Sequence, residues 1–295
     1  MRVGLAAKPE SKRAIALARK AIDHLAGRVE LVVAEETHRA LGRTEGLVAP
    51  LEGLEADALV SVGGDGTFLY ALQRCGAPLL PINAGTVGFL AEVNGSDEPA
   101  FRTALDRLVA GEYLIEERMK LASEWQGRNL PDATNEIVLH TDQVAKMRLF
   151  EIAVDGRPIG RIRADGILLA TPTGSTSYSL SALGPIVDPA LEAIVVTALA
   201  PFETTQRAVL IDPLRTVSVR AVLHEKGVIV VIDGQSEFRM PGGERLLAYR
   251  SPRRASFVRL GVPFFERLRG RRVLPWGDPG VGGEADGDAD LPPPA

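Results

Sequence analysis

Residues 58–67 read ALVSVGGDGT, an apolar run that leads directly into a turn with three glycines. The continuous apolar character of Ala58 to Val62 is typical of a parallel strand that is buried on both faces. A helical pattern from Phe68 to Arg74 follows the turn. The stretch therefore predicts a strand, a tight turn and a helix, the unit from which α/β folds are built.

The segments around this stretch continue the alternation of strands and helices. The pattern predicts strands at Arg2 to Ala7, Val29 to Ala34 and Pro78 to Ile82, and helices at Ser11 to Leu25 and Asp97 to Val109. We therefore expect residues 1–112 to form one α/β domain.

Strand-like segments dominate the chain after residue 111. They lie near residues 133–140, 147–154, 167–170, 217–222 and 228–232, with one short helix expected near residues 179–183. The pattern predicts a β-rich second domain over residues 113–251. We expect residues 252–274 to pack back on the first domain, with a helix or a strand and turn at 263–272. The Gly-, Asp- and Pro-rich residues 275–295 are expected to be disordered.

Composition and charge exclude several classes of protein. The chain has 34 basic and 38 acidic residues, and five of the acids lie in the base-free stretch 277–295, so the remainder is nearly neutral and no basic nucleic-acid-binding surface is indicated. The single cysteine, Cys75, rules out an internal disulfide and favours a reducing compartment. No apolar run approaches the ~18 residues of a membrane span. We therefore expect a cytoplasmic protein without nucleic-acid or membrane partners.

The glycine-rich turn has the chemistry of a phosphate site. A strand that ends in Gly63-Gly64-Asp65-Gly66-Thr67 and enters a helix places backbone N–H groups at a positive helix terminus. The alternative is a simple tight turn with Asp65 as the helix N-cap. The motif is neither Gly-x-Gly-x-x-Gly nor a Walker A loop, so it indicates neither a Rossmann dehydrogenase nor a P-loop kinase.

Two later segments also carry polar side chains at strand ends. Eight hydroxyl side chains lie between Thr171 and Ser181 and could donate to phosphate or sugar oxygens, although a Ser/Thr-rich surface loop is the alternative. Asn135 and Glu136 precede a predicted strand, where a plain polar turn is the alternative.

Together these segments resemble the NAD kinase family, in its bacterial ATP- or polyphosphate-dependent form. The resemblance runs from the first strand to about Tyr249. The motifs that carry it, in chain order, are Gly63 to Thr67, Asn83 to Leu90, Thr134-Asn135-Glu136, Asp165-Gly166 and Thr171 to Pro185. The first motif also resembles turns in lipid kinases and phosphofructokinases, whereas the last is far more specific.

The resemblance implies a fold and a reaction. The fold would combine an N-terminal α/β domain with a Rossmann-like parallel sheet and a β-sandwich-like C-terminal domain, the two-domain NAD kinase architecture. The enzyme would transfer the terminal phosphoryl group of ATP, bound with Mg²⁺, to the 2′-hydroxyl of the adenosine ribose of NAD, which gives NADP. Polyphosphate is the alternative donor. The family also implies a homodimer or homotetramer.

The resemblance also implies roles for individual residues, with no metal ligand assigned to the protein. Asp65 would be the general base, and Asn135 and Glu136 would bind ribose hydroxyls. The phosphate loop would be Gly63, Gly64, Gly66 and Thr67, and Asp65 and Gly66 would also contact NAD. Arg163 and Asp165 would contact the nicotinamide end of NAD. In one arrangement they would do so across a subunit boundary. The remaining NAD-binding residues would be Lys146, Thr173, Thr176, Ser177, Tyr178, Ser179, Leu180, Ser181 and Gln235.

The sequence departs from the family pattern at three positions. Tyr70 stands where many members have a basic residue, Ser177 where Ala is usual, and Leu183 where Gly is usual. Two other functions remain as alternatives: a diacylglycerol- or sphingosine-type lipid kinase, and an NAD(P)-binding sensor that has kept the pocket and lost the chemistry.

Overall fold

A parallel sheet organises the first 110 residues. Its centre is β4 (Ala58–Gly63), all six residues of which are buried, as the continuous apolar run predicts. β1 (Arg2–Ala7) and β5 (Leu79–Asn83) lie on either side of β4 and run parallel to it. β2 (Glu30–Ala34) and β3 (Leu47–Ala49) extend the sheet in the order β5-β4-β1-β2-β3. The glycine-rich turn therefore leaves the carboxyl end of a central strand.

Helices cover both faces of this sheet. α1 (Lys12–Leu25) begins where the Ser11 hydroxyl accepts a hydrogen bond from the Ala14 N–H at 3.2 Å, and it shares one apolar core with α4 (Glu98–Ala110). α3 (Asp65–Arg74) packs in a second core on the other face through Phe68 and Leu72. α2 (Glu35–Leu41) follows β2 directly.

Two antiparallel layers form the C-terminal half. One is a six-stranded sheet, which has the order β14-β13-β12-β9-β16-β17. The other layer holds β11, β10, β15, β18 and β7, and an apolar core lies between the two layers. The strand bounds are β6 Val93–Asn94, β7 Leu114–Trp125, β8 Arg128–Asn129, β9 Glu136–Thr141, β10 Arg148–Val154, β11 Arg157–Ala164, β12 Gly166–Ala170, β13 Ile194–Leu199, β14 Val209–Ile211, β15 Val217–Ala221, β16 Val228–Ile232, β17 Ser236–Met240 and β18 Arg245–Arg259.

The long strand β18 joins the two halves of the chain. Its first part pairs with β15, and Phe257 in its second part pairs in parallel with Leu79 of β5. The register against β7 shifts between Arg250 and Arg254, which marks an irregularity in the strand. The boundary predicted at residues 251/252 falls at this irregularity, and one hydrogen-bonded sheet continues across it.

The computed structural model describes residues 1–42, 46–85, 88–203, 205–223 and 226–269. Residues 1–261 are one unit, and the next unit contributes α6 (Phe264–Arg269). The predicted disordered segment 275–295 lies outside the described residues. None of the helices within these ranges is long and apolar enough to span a bilayer. The predicted fold class, an α/β domain with a parallel sheet plus a β-sandwich, is confirmed.

The hydroxyl-rich segment contains two short helices. A 3₁₀ helix occupies Gly174–Thr176 and α5 occupies Tyr178–Ser181, close to the helix expected near residues 179–183. α5 ends early because Leu183 is in the left-handed region, with φ of 62°.

Candidate active site

The glycine-rich turn delivers Asp65 to the start of α3. Gly64 is the N-cap, and no side chain caps the helix, so the alternative that Asp65 is the cap is wrong. Gly63, Gly64, Gly66 and Thr67 surround Asp65 at this terminus. Gly66 is exposed and has no side chain that could cover this helix terminus. Such a terminus carries partial positive charge and favours anions.

Backbone N–H groups from a neighbouring loop orient the Asp65 carboxylate. Oδ2 accepts from the Phe89 N–H at 2.7 Å and Oδ1 from the Leu90 N–H at 3.2 Å. A Cβ atom on Gly88 would lie 2.0 Å from Oδ1, so only glycine allows this approach. The two preceding residues of this predicted motif, Thr86 and Val87, lie outside the described residues.

The Asn135–Glu136 pair is buried at the start of β9 and is anchored by Asp233. The N–H groups of Thr134, Asn135 and Glu136 donate to the Asp233 carboxylate at 2.7, 2.8 and 3.1 Å. The Asp233 N–H donates back to the Glu136 carbonyl at 3.0 Å. Asp233 lies in the β16–β17 turn with φ of 50°, a conformation that Asp tolerates better than most residues.

Sequence reasoning did not identify Asp233. The Asp233-Gly234 pair is a hairpin-turn signal, which predicts the turn but not the backbone groups that the carboxylate binds. The predicted residue Gln235 lies two positions further on, and its Nε2 donates to the Gly66 carbonyl at 3.3 Å. One turn therefore contacts both the phosphate loop and the segment that carries Asn135.

Several buried polar atoms beside this turn have no hydrogen-bond partner among the described residues. They are Thr134 Oγ1, Asn135 Oδ1 and Glu136 Oε2. The other Glu136 oxygen accepts from the Ser177 hydroxyl at 3.3 Å. Buried polar atoms are nearly always paired in folded proteins, so this group is suited to a polar ligand.

Burial changes the charge of the two carboxyl groups. Burial, reinforced by the negative charge of Asp233, raises the pKa of Glu136 to about 8. Burial also raises the pKa of Asp233 to about 6, against the opposing effect of its three N–H donors. At neutral pH Glu136 is therefore mainly protonated and can donate a hydrogen bond, whereas Asp233 is mainly ionised.

The hydroxyl-rich segment packs directly against Asn135. The Thr171 hydroxyl donates to the Thr134 carbonyl at 2.6 Å, and the Thr171 N–H donates to the Asn135 carbonyl at 2.9 Å. A Cβ atom on Gly174 would lie 2.1 Å from the same Asn135 oxygen. The surface-loop alternative is wrong for this segment, because all residues from Thr171 to Thr176 are buried.

The predicted adenosine-pocket residues follow on the same segment. Thr173 and Thr176 are buried within it, and the Ser179 hydroxyl lies 3.4 Å from that of Thr197. Tyr178 is exposed beside them, and the other members of the set are Ser177, Leu180 and Ser181.

Three predicted residues lie at the opposite end of β9. The Asp165 carbonyl accepts from the Thr141 N–H at 2.8 Å, which places Asp165 about 17 Å along the strand from Glu136 at ~3.3 Å per residue. The exposed Arg163 guanidinium stacks 5.6 Å from the centre of the Phe202 ring. Lys146 is exposed in the loop after β9. The predicted site residues therefore lie in two separate groups, one near each end of β9.

A cavity of about 560 Å³ opens beside the phosphate loop. Gly64, Gly66 and Thr67 line one side of it, together with Gln235. Tyr70 and residues at the ends of β1 and β2 line the rest. The volume is in the usual range for small-molecule sites.

A glycine-rich helix start that holds a carboxylate, and that one turn links to a buried amide–carboxylate pair, is suited to phosphoryl transfer. The ATP-NAD kinase N-terminal domain family matches residues 3–113, and the ATP-NAD kinase C-terminal domain family matches residues 134–260. The chain belongs to the NAD kinase family.

Individual relatives agree with this assignment. The NAD kinase of Thermococcus kodakarensis is 38% identical over 272 residues, which is 90% of this chain and 97% of the relative. The NAD kinase of Methanothermobacter thermautotrophicus is 37% identical over 277 residues, with 92% and 96% covered. The predicted family and NAD kinase function are confirmed.

Solved structures show the same fold. An NAD kinase from Archaeoglobus fulgidus in complex with ATP matches with a TM-score of 0.71 and 28% identity, covering 92% of this chain and 96% of that one. A yeast NADH kinase complexed with NADH matches in fold with a TM-score of 0.80 at 24% identity, covering 92% and 86%. The predicted two-domain NAD kinase architecture is confirmed.

Proposed function

We propose that this chain transfers the terminal phosphoryl group of ATP to the 2′-hydroxyl of the adenosine ribose of NAD, with Asp65 as the general base. The observation that carries the residue roles is that buried Asn135 Oδ1 and Glu136 Oε2 have no hydrogen-bond partner among the described residues, while one turn links their segment to the phosphate loop. The related structures bind ATP in one case and NADH in the other, which supports both substrates.

Asp65 is suited to accept the proton of the attacking hydroxyl. Its two oxygens accept the Phe89 and Leu90 N–H groups, which fix the orientation of the carboxylate at the start of α3. The bond from the ribose oxygen to the γ-phosphorus forms, the bond from that phosphorus to the bridging oxygen of ADP breaks, and the hydroxyl proton passes to Asp65. A positioned base of this kind contributes ~10²–10⁴ in rate.

Asn135 and Glu136 would hold the acceptor ribose. The Asn135 amide oxygen would accept a hydrogen bond from a ribose hydroxyl, and the protonated Glu136 would donate one to a ribose oxygen. The segment from Thr173 to Ser181 would line the adenosine side.

The second group of predicted residues would bind the other end of a dinucleotide. Its distance of about 17 Å along β9 suits either one extended NAD molecule or an NAD molecule on a neighbouring subunit. Arg163 and Asp165 would contact the nicotinamide end, and Lys146 lies in the loop beside them. We include a homodimer or homotetramer, assembled through the β-rich half, in this proposal.

Mg²⁺ would enter with the donor phosphates, because this small cation prefers phosphate and water oxygens to a dedicated protein cage. Bound there, it neutralises charge on the phosphate oxygens. The phosphate loop from Gly63 to Thr67 would hold the same phosphates at the start of α3. A cytoplasmic location is part of the proposal, supported by the single cysteine and by the nucleotide substrates.

The test is NADP formation from NAD and Mg-ATP by the wild type and by Asp65→Asn, with NAD binding measured on both. We expect Asp65→Asn to bind NAD normally and to lose at least ~10² in kcat. The exposed residue Asp23 offers the control Asp23→Asn, which should leave kcat unchanged. A wild type that binds NAD but makes no NADP from ATP or polyphosphate would instead be a sensor. Phosphorylation of diacylglycerol in micelles without NADP formation would indicate a lipid kinase.

A further inference from the structure

The cavity beside the phosphate loop lies where α/β sheets bind nucleotides. Ala7 ends β1, Ala34 ends β2 and Gly64 follows β4, and all three line the cavity. In sheets of parallel strands, ligands bind outside the carboxyl ends of the strands. Gly66 and Thr67 also line the cavity, so it offers space for the other groups of a donor whose phosphates they hold.

The charges around the cavity do not suit a long polyanion. Among the described residues that line it, the carboxylates are Glu10, Glu35, Glu36 and Glu52 and the cations are Lys8 and Arg39. Arg39 pairs with Glu35 at 4.0 Å and Arg74 with Glu52 at 2.8 Å, so one carboxylate remains in excess. Inorganic polyphosphate carries negative charge along its whole length, so it would meet repulsion here. A nucleoside triphosphate carries its charge at one end, which leaves a neutral base and ribose for the acidic region.

An aromatic ring is held at the wall of the cavity. The Arg74 guanidinium stacks 3.7 Å from the centre of the Tyr70 ring, and Arg74 also pairs with Glu52 at 2.8 Å. Tyr70 and the apolar side chains of Leu51 and Ala71 thus form a surface suited to a nucleotide base. Tyr70 is the position where the family resemblance predicts a basic residue.

Glu36 is positioned to bind a sugar hydroxyl. It lies in the first turn of α2, directly after β2, and β2 is the neighbour of β1 in the sheet. The Tyr70 hydroxyl donates to Glu36 Oε1 at 3.2 Å, which holds the carboxylate and leaves further lone pairs. Dinucleotide-binding sheets also bind ribose hydroxyls with an acidic residue, which there follows the glycine-rich turn in the chain, whereas Glu36 precedes it.

We propose that this cavity binds the base and ribose of a ribonucleoside triphosphate donor, with Glu36 accepting a hydrogen bond from a ribose hydroxyl. The acidic lining then disfavours inorganic polyphosphate. This inference rests on the proposed function, because it concerns the phosphoryl donor of that same reaction.

The kinetic test compares donors on the wild type and on Glu36→Ala. ATP, 2′-deoxy-ATP, 3′-deoxy-ATP and polyphosphate are each offered with saturating NAD and Mg²⁺. We expect the wild type to prefer ATP by at least ~10-fold in kcat/KM over one deoxy analogue and over polyphosphate, since a site that binds a hydroxyl rejects the analogue without it. Glu36→Ala should reduce the preference for ATP over the deoxy analogue to within about threefold, mainly by raising KM for ATP. The exposed residue Glu112 lies outside the cavity, and Glu112→Ala, which removes the same charge, should keep the preference.

A binding measurement separates this inference from the proposed function. The Kd of β,γ-methylene-ATP is measured by calorimetry on the full chain with NAD saturating, so that the acceptor site is filled. Glu36→Ala should raise this Kd about tenfold, whereas inorganic tripolyphosphate should bind weakly to both proteins. If these results hold but no donor yields NADP, the reaction is wrong and the cavity assignment stands. If NADP forms but polyphosphate equals ATP, or the deoxy discrimination survives in Glu36→Ala, the cavity assignment is overturned.

Discussion

Substitution of Gly174 by alanine tests whether the hydroxyl-rich segment positions Asn135. The added Cβ would lie 2.1 Å from the Asn135 carbonyl oxygen, 2.5 Å from its carbon and 2.8 Å from its Cα. All three atoms belong to the backbone, so no side-chain rotation relieves the contact. The 2.1 Å distance falls 1.3 Å short of the 3.4 Å at which ordinary van der Waals contact begins.

That displacement is large compared with the hydrogen bonds around the pair. The N–H groups of Asn135 and Glu136 lie 2.8 and 3.1 Å from Asp233, and a shift of about 1 Å takes such bonds beyond useful length. Displacement of reacting groups by about 1 Å costs ~10² in rate. Overpacking of a buried segment costs a further ~1–3 kcal/mol of stability. We therefore expect Gly174→Ala to lower kcat/KM for NAD by at least ~10² and to lower the free energy of unfolding by about 2 kcal/mol.

The assay combines coupled NADP formation with urea unfolding at pH 7. Gly160 provides the matched control, because a Cβ atom there meets nothing within 4 Å and Gly160→Ala should keep both values near the wild type. Activity in Gly174→Ala within about threefold of the wild type, at unchanged stability, would refute the argument that this contact positions the pair.

Three further predictions concern single residues. The pKa of Glu136 is raised to about 8, so the folded protein keeps a proton that the unfolded chain loses near pH 4.5. The free energy of unfolding therefore falls as the pH rises from about 5 to 8, by up to ~1.4 kcal/mol per pH unit. Glu136→Gln should flatten the slope between about pH 6 and 8 in a series of urea titrations, whereas Asp233, with a pKa raised to about 6, keeps a slope of the same sign below pH 6. Leu183→Gly should raise the free energy of unfolding in urea by about 1 kcal/mol, because Leu183 is exposed and its φ of 62° is unfavourable for a residue with a side chain. Gly88→Ala should lower kcat at least ~10-fold by displacing Asp65, whereas Gly85→Ala, whose Cβ would meet no atom of the described residues within 4 Å, should not.

The elements of the fold could be predicted from sequence because their signals are local. The apolar run at 58–62 and the helical pattern from Ser11 to Leu25 each specify structure within a few residues, and β4 and α1 form there. The start of α3 was less accurate: the helical pattern begins at Phe68, but the helix begins at Asp65. The sequence pattern misses the first turn of α3, because the glycines there have a low intrinsic helix propensity.

The arrangement of the site could not be predicted in the same way. The Asp233 carboxylate binds the Thr134 N–H across 99 residues, and Gln235 reaches Gly66 across 169. Such contacts are set by the order of strands in the sheets, which places β16 beside β9 and β18 beside β5. The hydrophobic periodicity of a short stretch of sequence does not indicate the order of strands in a sheet.

The contacts that join the two halves of the site are made to backbone atoms of the functional motifs. Gln235 bonds to the Gly66 carbonyl, and Asp233 bonds to three main-chain N–H groups. A side-chain substitution such as Asp65→Asn leaves these links in place, and its loss of rate reports on the carboxylate and on its contacts with the Phe89 and Leu90 N–H groups. Gly174→Ala acts on the backbone itself, so its loss of rate reports on position. The two variants separate the contribution of the base from that of the geometry that presents the ribose to it.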